Sequence, residues 1–208
     1  MLREITNELR PAFSLVVLFT LLLGVAFPAA LTGFAQLVFP FQANGSLIRV
    51  KGQPVGSALI GQNFAGKHIV AKDWFQPRPS ALTGTDAKGK TIPTPYDASE
   101  SGASNLGPTS KTLISDVTAR IAAYHKAYGP GRVPDDAVES SGSGLDPDIS
   151  LANALRQAPA IAAARKLPAV TVTALVNRLA THRLIGVIGT DHVNVLKLNL
   201  ELAGIKRP

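Results

Sequence analysis

The sequence predicts an α+β domain held outside the cytoplasm on a single N-terminal transmembrane helix. Three observations predict it. Ala12 to Val38 is one apolar run without Asp, Glu, Lys, Arg or His. The chain beyond it mixes short alternating strand patterns with helical ones and shows no repeat. It also has no cysteine, so neither a disulfide framework nor a thiolate site is available to it.

The apolar run is longer than the roughly 20 residues that a bilayer core of about 30 Å demands. A signal peptide has an apolar region of about 7–15 residues before its small-residue cleavage site. Here the run continues past Ala29 and Ala30, which predicts an uncleaved anchor. Arg3 and Arg10 stand before the run, and the first positives after it are Arg49 and Lys51. The positive-inside rule therefore places the N-terminus in the cytoplasm and the rest outside. The domains read as a short cytoplasmic tail (1–11), a span (12–38) and an outer domain (39–208). Pro11 suits the first turn of the span, and Pro28 should bend it. Ala26, Ala30 and Gly33 share one face, where a second membrane helix can approach closely. Membrane helices are rich in Ala and Gly in any case, so the face has two readings. Phe39, Pro40 and Phe41 mark the exit.

Beyond the exit, SLIRV and VGSALIG predict two strands around KGQP, and Ile69 to Phe75 a third. Pro77 to Pro108 is rich in Pro, Gly, Ser and Thr and reads mostly as loop. A loop of that length in a compact domain often binds a partner. Thr109 or Ser110 can cap a helix to Tyr128, with Leu113, Val117, Ile121 and Tyr124 inward and Gly129 as its stop. Arg132 to Glu139 is a weak strand pattern. Asp148 or Ser150 can cap LANALRQA, which should end before Pro159, and a second short helix should run on to Lys166. Thr171 to Arg183 reads as a helix with Val172, Leu175, Val176 and Leu179 inward. Leu196, Leu198, Leu200 and Leu202 alternate, which predicts a strand, although Leu and Lys also suit a short helix.

The net charge of +7 lies beyond the span, because Glu4 and Glu8 balance Arg3 and Arg10 in the tail. Those positives are scattered, without runs or interleaved aromatics, so nucleic acid is not an expected partner. Gly84 to Thr91 reads GTDAKGKT, matching a phosphate-binding loop at Gly84, Gly89, Lys90 and Thr91. Pro93 and Pro95 disfavour the helix such a loop needs, so the match is read as coincidence and no cofactor is assigned. His68, His125, His182 and His192 show no metal-ligand spacing. Asp146 and Asp148 lack the other oxygens of a calcium loop. There is no G-x-S-x-G elbow and no D-K-T-G. Neither catalytic nor metal residues are expected.

Six segments in order after one span are specific where each alone is weak. They are FQANGSLI (Phe41–Ile48), GSALIGQNF (Gly56–Phe64), RPSA (Arg78–Ala81), SGASNLGPT (Ser101–Thr109), SGSGLDPDIS (Ser141–Ser150) and VNVLKLNLEL (Val193–Leu202). Together they closely resemble the C subunits of the Kdp potassium-transporting ATPase of bacteria. The chain departs from that pattern at Asp148, at Leu151 and in DWFQ before RPSA. The resemblance implies an accessory, non-catalytic subunit of the inner membrane, needed for assembly and activity. Its partners would be a channel-like A subunit, a P-type B subunit and a small F subunit. ATP, Mg²⁺ and K⁺ would be used by the complex rather than bound here. A role as a catalytic chaperone that raises the ATP affinity of the B subunit is also implied. Candidate contact residues are Asn44, Gly45, Ser46, Gly61, Gln62, Arg78, Pro79, Ser80, Asn105, Ser143, Gly144 and Asp146. The same residues can instead be tight turns that hold the domain's own fold. The competing function is a free-standing anchored hydrolase using a Ser and a His.

Overall fold

The computed structural model describes residues 2–64 and 71–204. The chain divides into two compact units, one ending at Leu47 and one beginning at Ile48.

The first unit is helical. Helix α1 (Leu2–Leu21) passes into a single π turn (Leu22–Ala26) and then α2 (Phe27–Val38). The stretch Asn7–Val38, 32 residues, is long and apolar enough to cross a bilayer, and its most apolar window buries nothing against the protein. At about 1.5 Å per residue it reaches roughly 48 Å. Helix begins at Leu2, so Pro11 lies inside it rather than in its first turn. The expected bend at Pro28 takes a different form. Pro28 offers no N–H to the carbonyl of Gly24, and the turn containing Gly24 widens into the π geometry. After Phe39 a single helical turn, α3 (Pro40–Ala43), leads into Gly45 and Ser46, whose φ values are 79° and 51°. Left-handed backbone at two successive residues turns the chain sharply.

The second unit joins three two-stranded sheets to a helical layer. Strands β1 (Leu47–Val50) and β2 (Gln53–Ser57) form a hairpin, its turn residues Lys51 and Gly52 both at positive φ. The expected loop from Pro77 to Pro108 contains a second hairpin, β3 (Thr83–Thr85) and β4 (Thr91–Pro93), paired antiparallel with Gly84 opposite Ile92. Helix α4 (Lys111–Tyr128) is capped by the Ser110 hydroxyl, which accepts from the Leu113 N–H, and Gly129 stops it at φ 84°. Tyr124 is buried, and Leu113, Val117 and Ile121 are half-buried beside it. The weak strand pattern at Arg132–Glu139 is a 3₁₀ turn at Asp135–Ala137, which the Pro134 geometry initiates.

Strand β5 (Asp148–Ser150) pairs antiparallel with β6 (His192–Asn194), Ile149 opposite Val193. Ser150 also caps α5 (Leu151–Arg165) by accepting from the Asn153 N–H. This helix does not break before Pro159. Pro159 sits on its exposed face, while Ala154, Ala158, Ile161 and Ala162 bury the other, and that burial holds one continuous helix. Helix α6 (Ala169–Leu179) buries Val172, Leu175 and Val176, with Leu179 packed at the core's edge. It ends four residues before Arg183. The chain then forms a narrow loop closed by bridges Thr181–His192 and Leu184–Ile188.

The leucines that alternate after Val193 lie on a helix, α7 (Val195–Gly204). It buries Val195, Leu196, Leu198, Asn199 and Leu202, a helical face in which one member is polar. Asn199 also corrects the third strand expected over Ile69–Phe75. Ile69 lies outside the described residues, and Ala71–Asp73 is a 3₁₀ turn. Phe75, fully buried, needs no neighbouring strand. Its N–H donates to Asn199 Oδ1 at 2.9 Å and its carbonyl accepts from Asn199 Nδ2 at 3.0 Å. Gln157 treats Gln76 alike: Oε1 accepts from the Gln76 N–H at 2.7 Å, and Nε2 donates to its carbonyl at 3.1 Å. Two side-chain amides thus replace ladder hydrogen bonds. Arg165 adds an anchor, its guanidinium 4.9 Å over the Trp74 ring.

Candidate functional site

The second-unit segments singled out in the sequence meet at the loops around β5. The Gly61 N–H donates to the Leu145 carbonyl at 2.8 Å. A Cβ at Gly61 would come within 2.6 Å of the Tyr96 ring and 2.7 Å of the Asp146 carbonyl, so only glycine fits this approach. Arg78 Nη1 donates to Asp146 Oδ2 at 3.0 Å, with both side chains about three-quarters buried. The Tyr96 hydroxyl donates to the Arg78 carbonyl. Burial, with the Asp146 charge beside it, pushes the Tyr96 phenol far above its ordinary value, so it stays a donor.

The remaining contacts are of the same kind. Ser141 N–H donates to the Pro79 carbonyl at 3.1 Å, and Gly102 N–H to the Ser143 carbonyl at 2.9 Å. The Ser143 hydroxyl accepts from the Leu145 N–H, the Ser80 hydroxyl from the Leu82 N–H, and Asp146 Oδ1 from the Asp148 N–H. Gly144 stands at φ 70°, and a Cβ there would meet Leu82 and the Gly102 carbonyl at 2.6 and 2.9 Å. Gln62 Nε2 donates to the Val55 carbonyl at 2.6 Å. Asn105, at φ 53°, is exposed. Asn44 belongs to the first unit, where its amide donates to Gln36 Oε1 at 3.0 Å and to the Pro40 carbonyl at 2.7 Å. It ties the exit turn with Gly45 and Ser46 to the end of α2. Ala26, Ala30 and Gly33 are exposed along the apolar helix.

Beside the Arg78–Asp146 pair opens a cavity of about 280 Å³, lined also by Asp148, Ser150, Thr190 and His192. Burial pushes the Asp148 carboxyl above its ordinary value, against the Asn194 amide hydrogen bond and the nearby His192 that lower it. His192 Nε2 lies 4.0 Å from Asp148. Ser150 shares the cavity with His192, but its hydroxyl donates to Asp136 at 2.8 Å and accepts from the Asn153 N–H. It serves as a helix cap, with its hydroxyl hydrogen directed to Asp136 rather than to His192. His125 contacts the Gly131 carbonyl, and His182 lies 3.4 Å from Asp191. His68 is outside the described residues. Among the described residues no three of His, Asp and Glu gather as a metal site.

GTDAKGKT forms the end of β3, a turn and β4. The N–H groups of Lys88 and Lys90 donate to Asp86 Oδ1 at 2.8 and 2.9 Å, so a carboxylate from the chain occupies the turn. No helix follows it. Sequence reasoning missed Tyr96 and Asn194. Asn194 donates to the Ala58 carbonyl and to Asp148 Oδ1, both at 3.0 Å. A lone Tyr in a Pro-rich stretch and an Asn before a helix start were the available signals.

The chain is similar to known proteins along almost all of its length. The family model KdpC, described as K⁺-transporting ATPase, c chain, matches residues 9–204. A protein of Methylobacterium nodulans is 50% identical over 204 residues, covering 95% of this chain and 98% of its own. One of Caulobacter vibrioides is 50% identical over 198 residues, covering 94% and 92%. One of Rhodopseudomonas palustris is 45% identical over 198 residues, covering 94% and 96%. All three carry the name potassium-transporting ATPase KdpC subunit. The match runs from within the apolar helix through β6 and α7, and on that ground the chain belongs to the KdpC family, the c chains of K⁺-transporting ATPases.

Proposed function

We propose that this chain is the single-span, non-catalytic subunit of an ATP-driven potassium pump in a bacterial inner membrane. The observation that carries the reading is the family match over residues 9–204, which takes in both the apolar helix and the folded second unit. The N-terminus is cytoplasmic and the second unit lies outside, as the placement of Arg3 and Arg10 favours. Its partners are the channel-like A subunit, the P-type B subunit and the small F subunit, and K⁺, ATP and Mg²⁺ are handled by them. The geometry supports a scaffold. The motif loops satisfy one another's hydrogen bonds, and Ser150 is engaged as a cap. Help in raising the ATP affinity of the B subunit would have to pass through the span, since ATP is on the other side of the bilayer.

The test is a purified complex with and without this chain. Tagged and solubilised in mild detergent, it brings the transport and P-type subunits with it. Removing it abolishes K⁺-stimulated ATP hydrolysis. Full stimulated activity in its absence would overturn the proposal.

A further inference from the structure

The narrow loop between α6 and β6 ends in four large aliphatic side chains with little to cover them. Leu184, Ile185, Val187 and Ile188 are 65, 82, 78 and 59% exposed. Soluble surfaces scatter such residues singly, and a contiguous group marks something that covers them. The tip is a formed turn, with Ile185, Gly186 and Gly189 at φ 55°, 75° and 88°. Four of its N–H groups bond within the loop. Leu184 N–H donates to the Ile188 carbonyl at 2.9 Å and Ile188 N–H returns the bond at 3.0 Å. Gly186 and Val187 donate to the carbonyls of Arg183 and Leu184.

We propose that this tip inserts into the surface of the bilayer that anchors the chain. Three features favour lipid over a protein groove. The tip from Leu184 to Gly189 offers only aliphatic side chains and glycines, whereas protein hot spots rely on Trp, Tyr and Arg within a polar rim. The internal bonds of Leu184, Gly186, Val187 and Ile188 lower the cost of bringing this backbone to the hydrocarbon edge. The tether supplies proximity. From Val38, where the apolar helix ends, to Ile48 is about ten residues, at most roughly 35 Å when fully extended. The second unit is thereby held at high effective concentration beside the lipid. The base of the tip is polar, with exposed Arg183 and His182 beside Asp191, whose carboxylate lies 3.4 Å from His182. The inference rests on the anchor reading above, so its test reports on the anchor separately.

The chain has no cysteine, so single cysteines can be labelled at will. The full chain carrying Val187→Cys, with a polarity-sensitive fluorophore, is reconstituted into phosphatidylcholine–phosphatidylglycerol vesicles. Leu23→Cys in the apolar helix and Lys88→Cys in the β3–β4 turn serve as references. All three positions are exposed, so the fold is not at risk. The Val187 label is expected to emit to the blue of the Lys88 label, to be quenched by spin-labelled lipid and to be shielded from iodide. A Val187 label that matches Lys88 while Leu23 reports lipid overturns the inference and leaves the anchor standing. A Leu23 label in water overturns both. A Val187 label shielded only after the other pump subunits are added, and insensitive to lipid quencher, places the tip in protein and overturns the inference.

Discussion

At the scale of single residues, Asp148 is the informative site. Its carboxyl is half-buried, and burial raises its pKa more than Asn194 and His192 lower it. A carboxyl raised in the folded state favours folding in its protonated form. That contribution is complete below the ordinary carboxylate range, about pH 4, and is lost as pH rises through the raised value. At neutrality the ionised Asp148 is therefore a burden on the fold. Asp148→Asn keeps an acceptor for Asn194 Nδ2 and removes the ionisation. The variant should melt at a higher temperature than the parent at neutral pH, and the gain should shrink to nothing as the pH falls to the carboxylate range. Thermal melts of the full chain in detergent across that window check it. Glycines were legible as turn residues in the sequence, but the reason was not. Gly61 and Gly144 are required by approaches to Tyr96 and Leu82, neighbours far away along the chain.

At the scale of elements, the core is held by helices and by an irregular segment at Phe75 that no strand accompanies. Asn199 is 1% exposed and bonds both backbone groups of Phe75. Asn199→Leu keeps the volume and removes both partners. Two buried backbone groups are then unpaired, at a cost on the order of 3 kcal/mol. Denaturant unfolding should show the loss, and an unchanged midpoint would mean that the segment finds other partners. This device explains the errors of sequence reading. The periodicity of α7 was hidden because a buried Asn takes a position that an apolar residue would ordinarily fill. The strand expected up to Phe75 is instead a 3₁₀ turn and an irregular segment, whose peptide groups are paired by amides on α5 and α7. The continuity of α5 through Pro159 was illegible because tertiary burial overrides the local penalty. By contrast, α4 with its cap and its stop was readable throughout, since Ser110 and Gly129 act locally.

At the scale of the whole molecule, the long apolar helix and the mixed second unit were both legible, because charge-free length and mixed periodicity are properties of long stretches. The family segments were legible too. That five of them converge around β5 was not, since hydrogen bonds such as Arg78 to Asp146 close over 68 residues. The anchor reading predicts that the chain stays with the membrane pellet through an alkaline carbonate wash, as integral proteins do. Recovery in the supernatant, scored by immunoblot, would contradict it.

The amide clamp on Phe75 has a consequence for how the protein is made. Asn199 leaves the ribosome 124 residues after the residue it secures. Until then the Phe75 ring has no closed core and its peptide groups bond only to water. An emerging chain must therefore wait, extended or loosely collapsed, through most of its synthesis. Such a delay would suit the proposed topology, in which the second unit has to thread a translocation channel before it becomes compact.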